Sequence, residues 1–266
     1  MINSHPKQHS RIHSHIQIPN TILKHFRDET DKEKKVWYLD IKTQTINKKP
    51  SGRLGTSKGY YSIDGENYWN ATIEDPIGKL NKQVLSFCAG DIKKITFHPQ
   101  DMDIVKRYIK SAMVRSNNTF ESMKKAIPNN ERYTDQELHD AMSVIGMKLF
   151  DTILKNLKFD NMVATVLINR TERSFVVPRN CFYCVERDAY PNYVMPISPK
   201  AALLLLPNEQ LQITTGTYGL IDTPEQISRL NRHALKYECL LNKDFVASDS
   251  CVELEYLQET LKNPPW

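Results

Sequence analysis

The stretch from Lys158 to Pro207 constrains this chain most. It holds four or five short apolar runs, MVATVLI, SFVV, CFYCV, YVMPI and AALLLL, parted by polar or proline-bearing joints. Val, Ile, Phe and Tyr dominate the first four, and these residues suit a pleated, half-buried surface. The last run is too apolar for a solvated strand, so it reads as a central strand or a buried helical turn. The stretch predicts the main sheet, mainly antiparallel or mixed, with helical material before and after it. The expected class is therefore α+β, in one continuous domain.

The chain has 266 residues, of which 40% are hydrophobic and 25% charged. A chain of this size buries about 70–75% of its unfolded surface and needs no covalent staples. No apolar run approaches the ~18 residues of a membrane span, so no membrane partner is expected. The opening MINSHPKQHSRIHSH lacks the apolar segment of a signal peptide. Five cysteines, an odd number, fit free thiols and a cytoplasmic location.

Charge is unevenly spread. Residues 1–60 carry 12 Lys/Arg against 5 Asp/Glu, a net of +7, and the other 206 residues carry 24 against 26. Such a region is either a solvated Lys-rich surface or one that meets a phosphate backbone or an acidic protein. Lys34, Lys35, Lys48, Lys49 and Arg53 are the nucleic-acid-contacting candidates within it.

In chain order, residues 1–15 form a His-rich polar arm. Pro19 then suits the first position of a short helix that places Ile22, Leu23 and Phe26 on one face. Val36–Leu39 and Tyr60–Ile63 read as two strands of a hairpin across a Gly-punctuated loop. Residues 1–68 thus form a basic cap of arm, helix and hairpin on a 69–266 core. Helices are expected from Trp69 to about Asn156. One carries Ile77, Leu80, Val84 and Phe87 and ends at Gly90-Asp91. A second carries Met102, Val105, Ile109 and Ala112. A third follows the capping box Thr134-Asp-Gln-Glu137 and carries Leu138, Met142, Ile145, Leu149 and Ile153. After the sheet, Thr223-Pro-Glu-Gln226 caps a helix that buries Ile227, Leu230, Ala234, Tyr237 and Leu241, with Arg229, Arg232 and Lys236 facing out. Ser250-Cys-Val-Glu253 starts a short last helix.

Several stretches, in this order, resemble a bacterial family known as domain of unknown function 4238. They are Pro19-Asn-Thr-Ile-Leu23-Lys-His-Phe26 preceded by His15, then Trp37-Tyr-Leu-Asp40, Ile73-Glu74 ahead of an amphipathic helix, and Arg115 near a helix end. Pro196-Ile-Ser-Pro199 before a Leu run and a helix carrying Asn231 complete the set. The resemblance implies a fold and no reaction. The chain departs from the family pattern at Ile16, where a second His is common, and at Arg179, where the family carries an acidic residue.

His15, Glu74 and Arg115 are the catalytic candidates. A hydrolase with a divalent metal or a general base would use His or Glu to hold or activate water and Arg to bind phosphate. Each also has a plain role, as a turn His, a first-turn helix Glu and a solvated Arg. Cys181-Phe-Tyr-Cys184, placed on a strand, would send its two sulfurs to opposite faces and so reads as two buried small hydrophobes. Asn231 reads as a buried tie between helix and sheet. Two functions follow. One is action on nucleic acid, as a metal-dependent nuclease of the mobile-element or phage-defence type. The other is a non-catalytic interaction protein whose basic cap docks an acidic protein partner.

Overall fold

The structure is a computed structural model and describes residues 13–15, 18–58, 60–141, 161–187, 190–208, 218–241 and 243–266. The fold is α+β. A five-stranded mixed sheet has the order β10-β5-β9-β8-β7, built from β5 (Met162–Asn169), β7 (Tyr183–Arg187), β8 (Tyr190–Ser198), β9 (Ala201–Pro207) and β10 (Tyr218–Ile221). Only the β10–β5 pair is parallel. The AALLLL run is β9, a central strand, and Ala201, Ala202, Leu203 and Leu205 are all at most 1% exposed. Its continuous apolarity follows from burial on both faces. Pro196 of β8 cannot donate to the ladder and sits where the β8–β9 register shifts, at a bulge.

A second, four-stranded antiparallel sheet has the order β3-β2-β11-β6, from β2 (Lys35–Asp40), β3 (Thr45–Pro50), β6 (Val177–Pro178) and β11 (Phe245–Ser248). Strands from the first 50 residues therefore share a sheet with strands from the middle and far end of the chain. A two-stranded ribbon pairs β1 (His13–His15) with β4 (Thr56–Lys58). The short helix α1 (Asn20–Leu23) and the turn Lys24–Phe26 that continues it bury Ile22, Leu23 and Phe26 completely, as their spacing predicts.

The expected hairpin is corrected. The partner of β2 is β3, across the turn 41–44, and Tyr60–Ile63 is not a strand. Ser62 accepts a hydrogen bond from Gly65 N at 3.0 Å and caps the helix α2 (Ile63–Trp69). The two tyrosines that imitate a strand pack into an aromatic group with Trp69 and His139 instead. The SFVV run also pairs less than expected. Phe175 and Val176 are buried off the ladder, and only Val177–Pro178 pairs with β11.

The helical middle region continues through a π-turn at Asn70–Glu74 into α3 (Asp75–Ala89), which ends at Gly90 with φ 84°. Ile77, Leu80 and Val84 are buried as the stripe predicts. Next come α4 (Pro99–Val114), α5 (Asn117–Ala126) and α6 (135–141). The capping box ahead of α6 is formed. Glu137 Oε2 accepts from Thr134 N at 2.9 Å, and Thr134 Oγ1 accepts from Glu137 N at 3.2 Å. Leu138 is buried, whereas Met142, Ile145, Leu149 and Ile153 lie outside the described residues.

Two helices close the fold, α7 (Pro224–Leu241) and α8 (Cys251–Lys262). The buried face of α7 is more polar than expected. Ser228, Asn231 and Glu238 lie buried with Ile227, Ala234 and Leu235, while Leu230, Tyr237 and Leu241 are only partly covered. Among the described residues no helix is long and apolar enough to cross a membrane.

Candidate functional site

Two of the three catalytic candidates meet. Glu74 closes the π-turn between α2 and α3, and Arg115 caps the C-terminus of α4. Arg115 Nη1 lies 3.5 Å from Glu74 Oε1, and its guanidinium sits 4.7 Å from the centre of the Trp69 ring. The Arg115 side chain is 1% exposed and that of Glu74 is 16% exposed. Burial pushes the Glu74 carboxyl above its usual range, and the Arg115 charge opposes that shift. Tyr108 and Cys181 border the same pocket, and burial pushes both far up, so neither ionises near neutrality. Arg115 thus lies with its guanidinium over an indole and one edge nitrogen towards a carboxylate, buried from solvent. The third candidate, His15, pairs through its backbone with Thr56, and its side chain lies outside the described residues. Among the described residues, no three His, Cys, Asp or Glu side chains gather as metal ligands.

Two of the five basic-cap candidates, Lys35 and Lys48, pair with carboxylates within the cap. Lys48 Nζ lies 2.8 Å from Asp28 Oδ2 and 3.1 Å from Asp31 Oδ2, and 4.3 Å above the Trp37 ring. The hydrogen bond from Lys48 holds the Asp28 carboxyl well below the usual carboxylate range. Lys35 Nζ lies 2.6 Å from Glu33 Oε2. Lys34, in a left-handed turn at φ 51°, Lys49 and Arg53 are exposed.

Three further sequence candidates are structural. Arg179, which stands where the resembled family has an acid, is 6% exposed and forms an ion pair with Asp244. Asn231 ties α7 to the segment before β6. Its Oδ1 accepts from Val176 N at 3.0 Å, and its Nδ2 donates to Ser174 O at 2.8 Å and Glu253 Oε2 at 3.2 Å. Glu253 in turn takes a two-point bond from Arg173, at 3.0 and 2.8 Å. Cys181 does not lie on a strand, as the C-x-x-C reading assumed. It sits at φ 67° in the turn before β7, fully buried, with Cys184 on the strand, and both are free thiols.

A further group of cations lies on one face of α7. Arg229, Arg232, His233 and Lys236 recur at i, i+3, i+4 and i+7 and so share one helical face. With Pro265 and Trp266, beyond the end of α8, they line a groove of about 390 Å³. Arg232 is anchored there, donating to the Tyr256 hydroxyl of α8 at 2.5 Å. Burial lowers the His233 pKa, and the charges of Arg229, Lys236 and Arg232 lower it further, which favours the neutral imidazole. Among the described residues no carboxylate forms an ion pair with Arg229, Arg232 or Lys236. Trp266 is 38% exposed.

No family model, curated protein or solved structure matches the chain.

Sequence reasoning placed Arg229, Arg232 and Lys236 on the outside of their helix but gave them no partner. The R-x-x-R-H-x-x-K spacing was the available signal, because it puts four nitrogen-bearing side chains on one stripe. What the spacing cannot contain is Trp266, which reaches that stripe through the packing of α8 against α7.

Proposed function

We propose that this protein binds nucleic acid through the phosphate backbone, using the groove on α7. The observation that carries this reading is the row of exposed Arg229 and half-buried Arg232, His233 and Lys236 lining one groove, its three cations without a carboxylate ion pair among the described residues. Lys and Arg contacts to phosphate release condensed counterions, which makes such binding strong at low salt and indifferent to base sequence. The cap lysines Lys35 and Lys48 contribute less than their charge suggests, since Glu33, Asp28 and Asp31 already neutralise them. Hydrolysis by Glu74 and Arg115 is left out of this reading. The Arg115 side chain is 1% exposed, so its guanidinium is not accessible to a phosphate in solvent. We also propose membership of the domain of unknown function 4238 family, supported by the order of the motifs and by the buried roles of Leu23, Phe26 and Asn231 within them.

The test is binding of labelled oligonucleotides across a salt series. Three phosphate contacts give a slope of log affinity against log salt of about −2 to −3, and Arg229→Gln with Lys236→Gln should flatten it by roughly 1.4 to 1.8. Binding to polyglutamate with none to oligonucleotides would replace this reading by docking to an acidic protein.

A further inference from the structure

We infer that the α7 groove is built for single strands, with phosphates on Arg229 and Lys236 and an unpaired base on Trp266. The inference rests on the phosphate-binding reading of the same groove and adds the class of strand. Three features carry it. The first is length. Arg229 and Lys236 are seven residues apart on one helix, which is about 10 Å along its axis, so they meet more than one phosphate. The second is the indole. Trp266 is the aromatic side chain lining the groove, is 38% exposed, shares that lining with Arg229, Arg232 and Lys236, and has no stacked ring over it among the described residues. An exposed ring beside a cationic track is the arrangement on which unpaired bases stack, and it tolerates any base because every base has a π-face. In a duplex the base faces are covered by their neighbours, so the same ring gains nothing. The third is presentation. Pro264 and Pro265 precede Trp266 and fix their own φ angles, so less conformational freedom is lost when the indole is held against a base. Arg232 is positioned by the Tyr256 hydroxyl at 2.5 Å, which sets one wall of the groove before any ligand arrives.

The repeating unit recognised is a nucleotide, a phosphate with its base, and a groove of about 390 Å³ is large enough to hold one base with its sugar and phosphate while the row of cations reaches the next phosphate. That unit has two sources, a strand or a free nucleotide, and the experiment separates them. The full chain is titrated with oligo-dT and oligo-rA, with a duplex of the same length, with AMP and with polyglutamate, and tryptophan fluorescence and anisotropy are read together. Single strands should bind at least tenfold tighter than the duplex and far tighter than AMP, and they should quench the Trp266 emission. Trp266→Ala should weaken single-strand binding roughly 5- to 150-fold, the range for losing one stacked base, and Trp266→Phe should retain most of the affinity. Unchanged melting of both variants shows that they remain folded. If duplex and single strand bind alike and Trp266→Ala is harmless while Arg229→Gln with Lys236→Gln weakens both, the single-strand inference is overturned and the phosphate reading survives. AMP binding as tightly as the oligomers would overturn the strand in favour of a free nucleotide. Failure of every oligonucleotide to bind would remove both the inference and the reading beneath it.

Discussion

Two regions of this molecule bring arginine to tryptophan, and they have opposite meanings. At the end of α4, Arg115 lies over Trp69 and against Glu74, in a place where the arginine side chain is 1% exposed. On the outer face of α7, Arg229, Arg232 and Lys236 share a groove with Trp266, which is 38% exposed, and no carboxylate forms an ion pair with them among the described residues. Residue type is nearly the same in both. What differs is whether the charge has been answered inside the fold. A buried guanidinium must be paired, because desolvating it costs several kcal/mol, so its partner is internal and its role is to hold parts together. An exposed cationic row costs nothing to leave open and stays available to a ligand. Cohesion is the role of the first region, and binding is the role proposed for the second.

The sharpest way to break this comparison is at Arg115. Arg115→Met leaves Glu74 in the core without its cation and should destabilise the fold by about 3–5 kcal/mol in urea unfolding. Adding Glu74→Leu removes the orphaned carboxyl and should restore most of the loss. Glu74→Gln alone should also cost stability, because it leaves the buried Arg115 charge without its counterion. A loss near zero for Arg115→Met would mean that Arg115 is free for other work and that the two regions do not differ in kind.

A smaller effect is expected at Asn231, the tie between α7 and the segment before β6. Asn231→Leu leaves Val176 N–H and Ser174 C=O buried without their partner and should cost about 1–3 kcal/mol for each group left unmet. Oligonucleotide binding should be unchanged once folding is controlled for, although Asn231 lies on the same helix as the groove.

The third prediction concerns pH. His139 on α6 is stacked by Tyr60 and Phe120, both with ring centroids 3.6 Å away, and burial lowers its pKa from 6.5 to about 4. The folded state therefore prefers the neutral ring. Its contribution is complete above pH 6.5 and is lost as the pH falls towards 4, because the unfolded chain takes up the proton first. Stability measured across that window should fall with acidification, and His139→Phe should flatten the fall. An unchanged slope in that variant would move the pH dependence to another group.

Much of this architecture was legible in the residues. The AALLLL run is too apolar for a solvated strand, and of its two readings, central strand or buried helical turn, it takes the first as β9. The Thr134–Glu137 box caps its helix as its spacing requires. Strand partners were less legible, because period-2 patterning says which residues alternate and not which strand lies alongside. Tyr60 and Tyr61 read as strand for that reason, until Ser62 and its bond to Gly65 N start a helix one residue later. The candidate pair Glu74 and Arg115 was found, but its meaning was not. The sequence shows two charges 41 residues apart and cannot show that they are buried against one another. The groove was half visible, as an exposed basic stripe on α7, and lacked its tryptophan.

The smallest effect is expected where charge density is highest in the sequence. Residues 1–60 carry a net +7, and on charge alone Lys48 and Lys49 would be the first residues to remove in a search for nucleic-acid contacts. Lys48, however, bonds to both Asp28 and Asp31 and covers the Trp37 ring. To meet a phosphate it would have to leave those two carboxylates, and the exchange of one anion for another yields little. Lys49 is exposed but stands alone on its face of β3. The Lys48→Ala, Lys49→Ala variant should therefore keep oligonucleotide affinity within about twofold of wild type at moderate salt, since exposed charges without a shaped site contribute little. The Arg229→Gln, Lys236→Gln variant removes the same number of charges and should lose far more, with a flatter salt dependence. Comparing these two variants at equal net charge separates placement from amount. Equal losses would show that binding follows total charge, and the distinction between the cap and the α7 groove would then collapse.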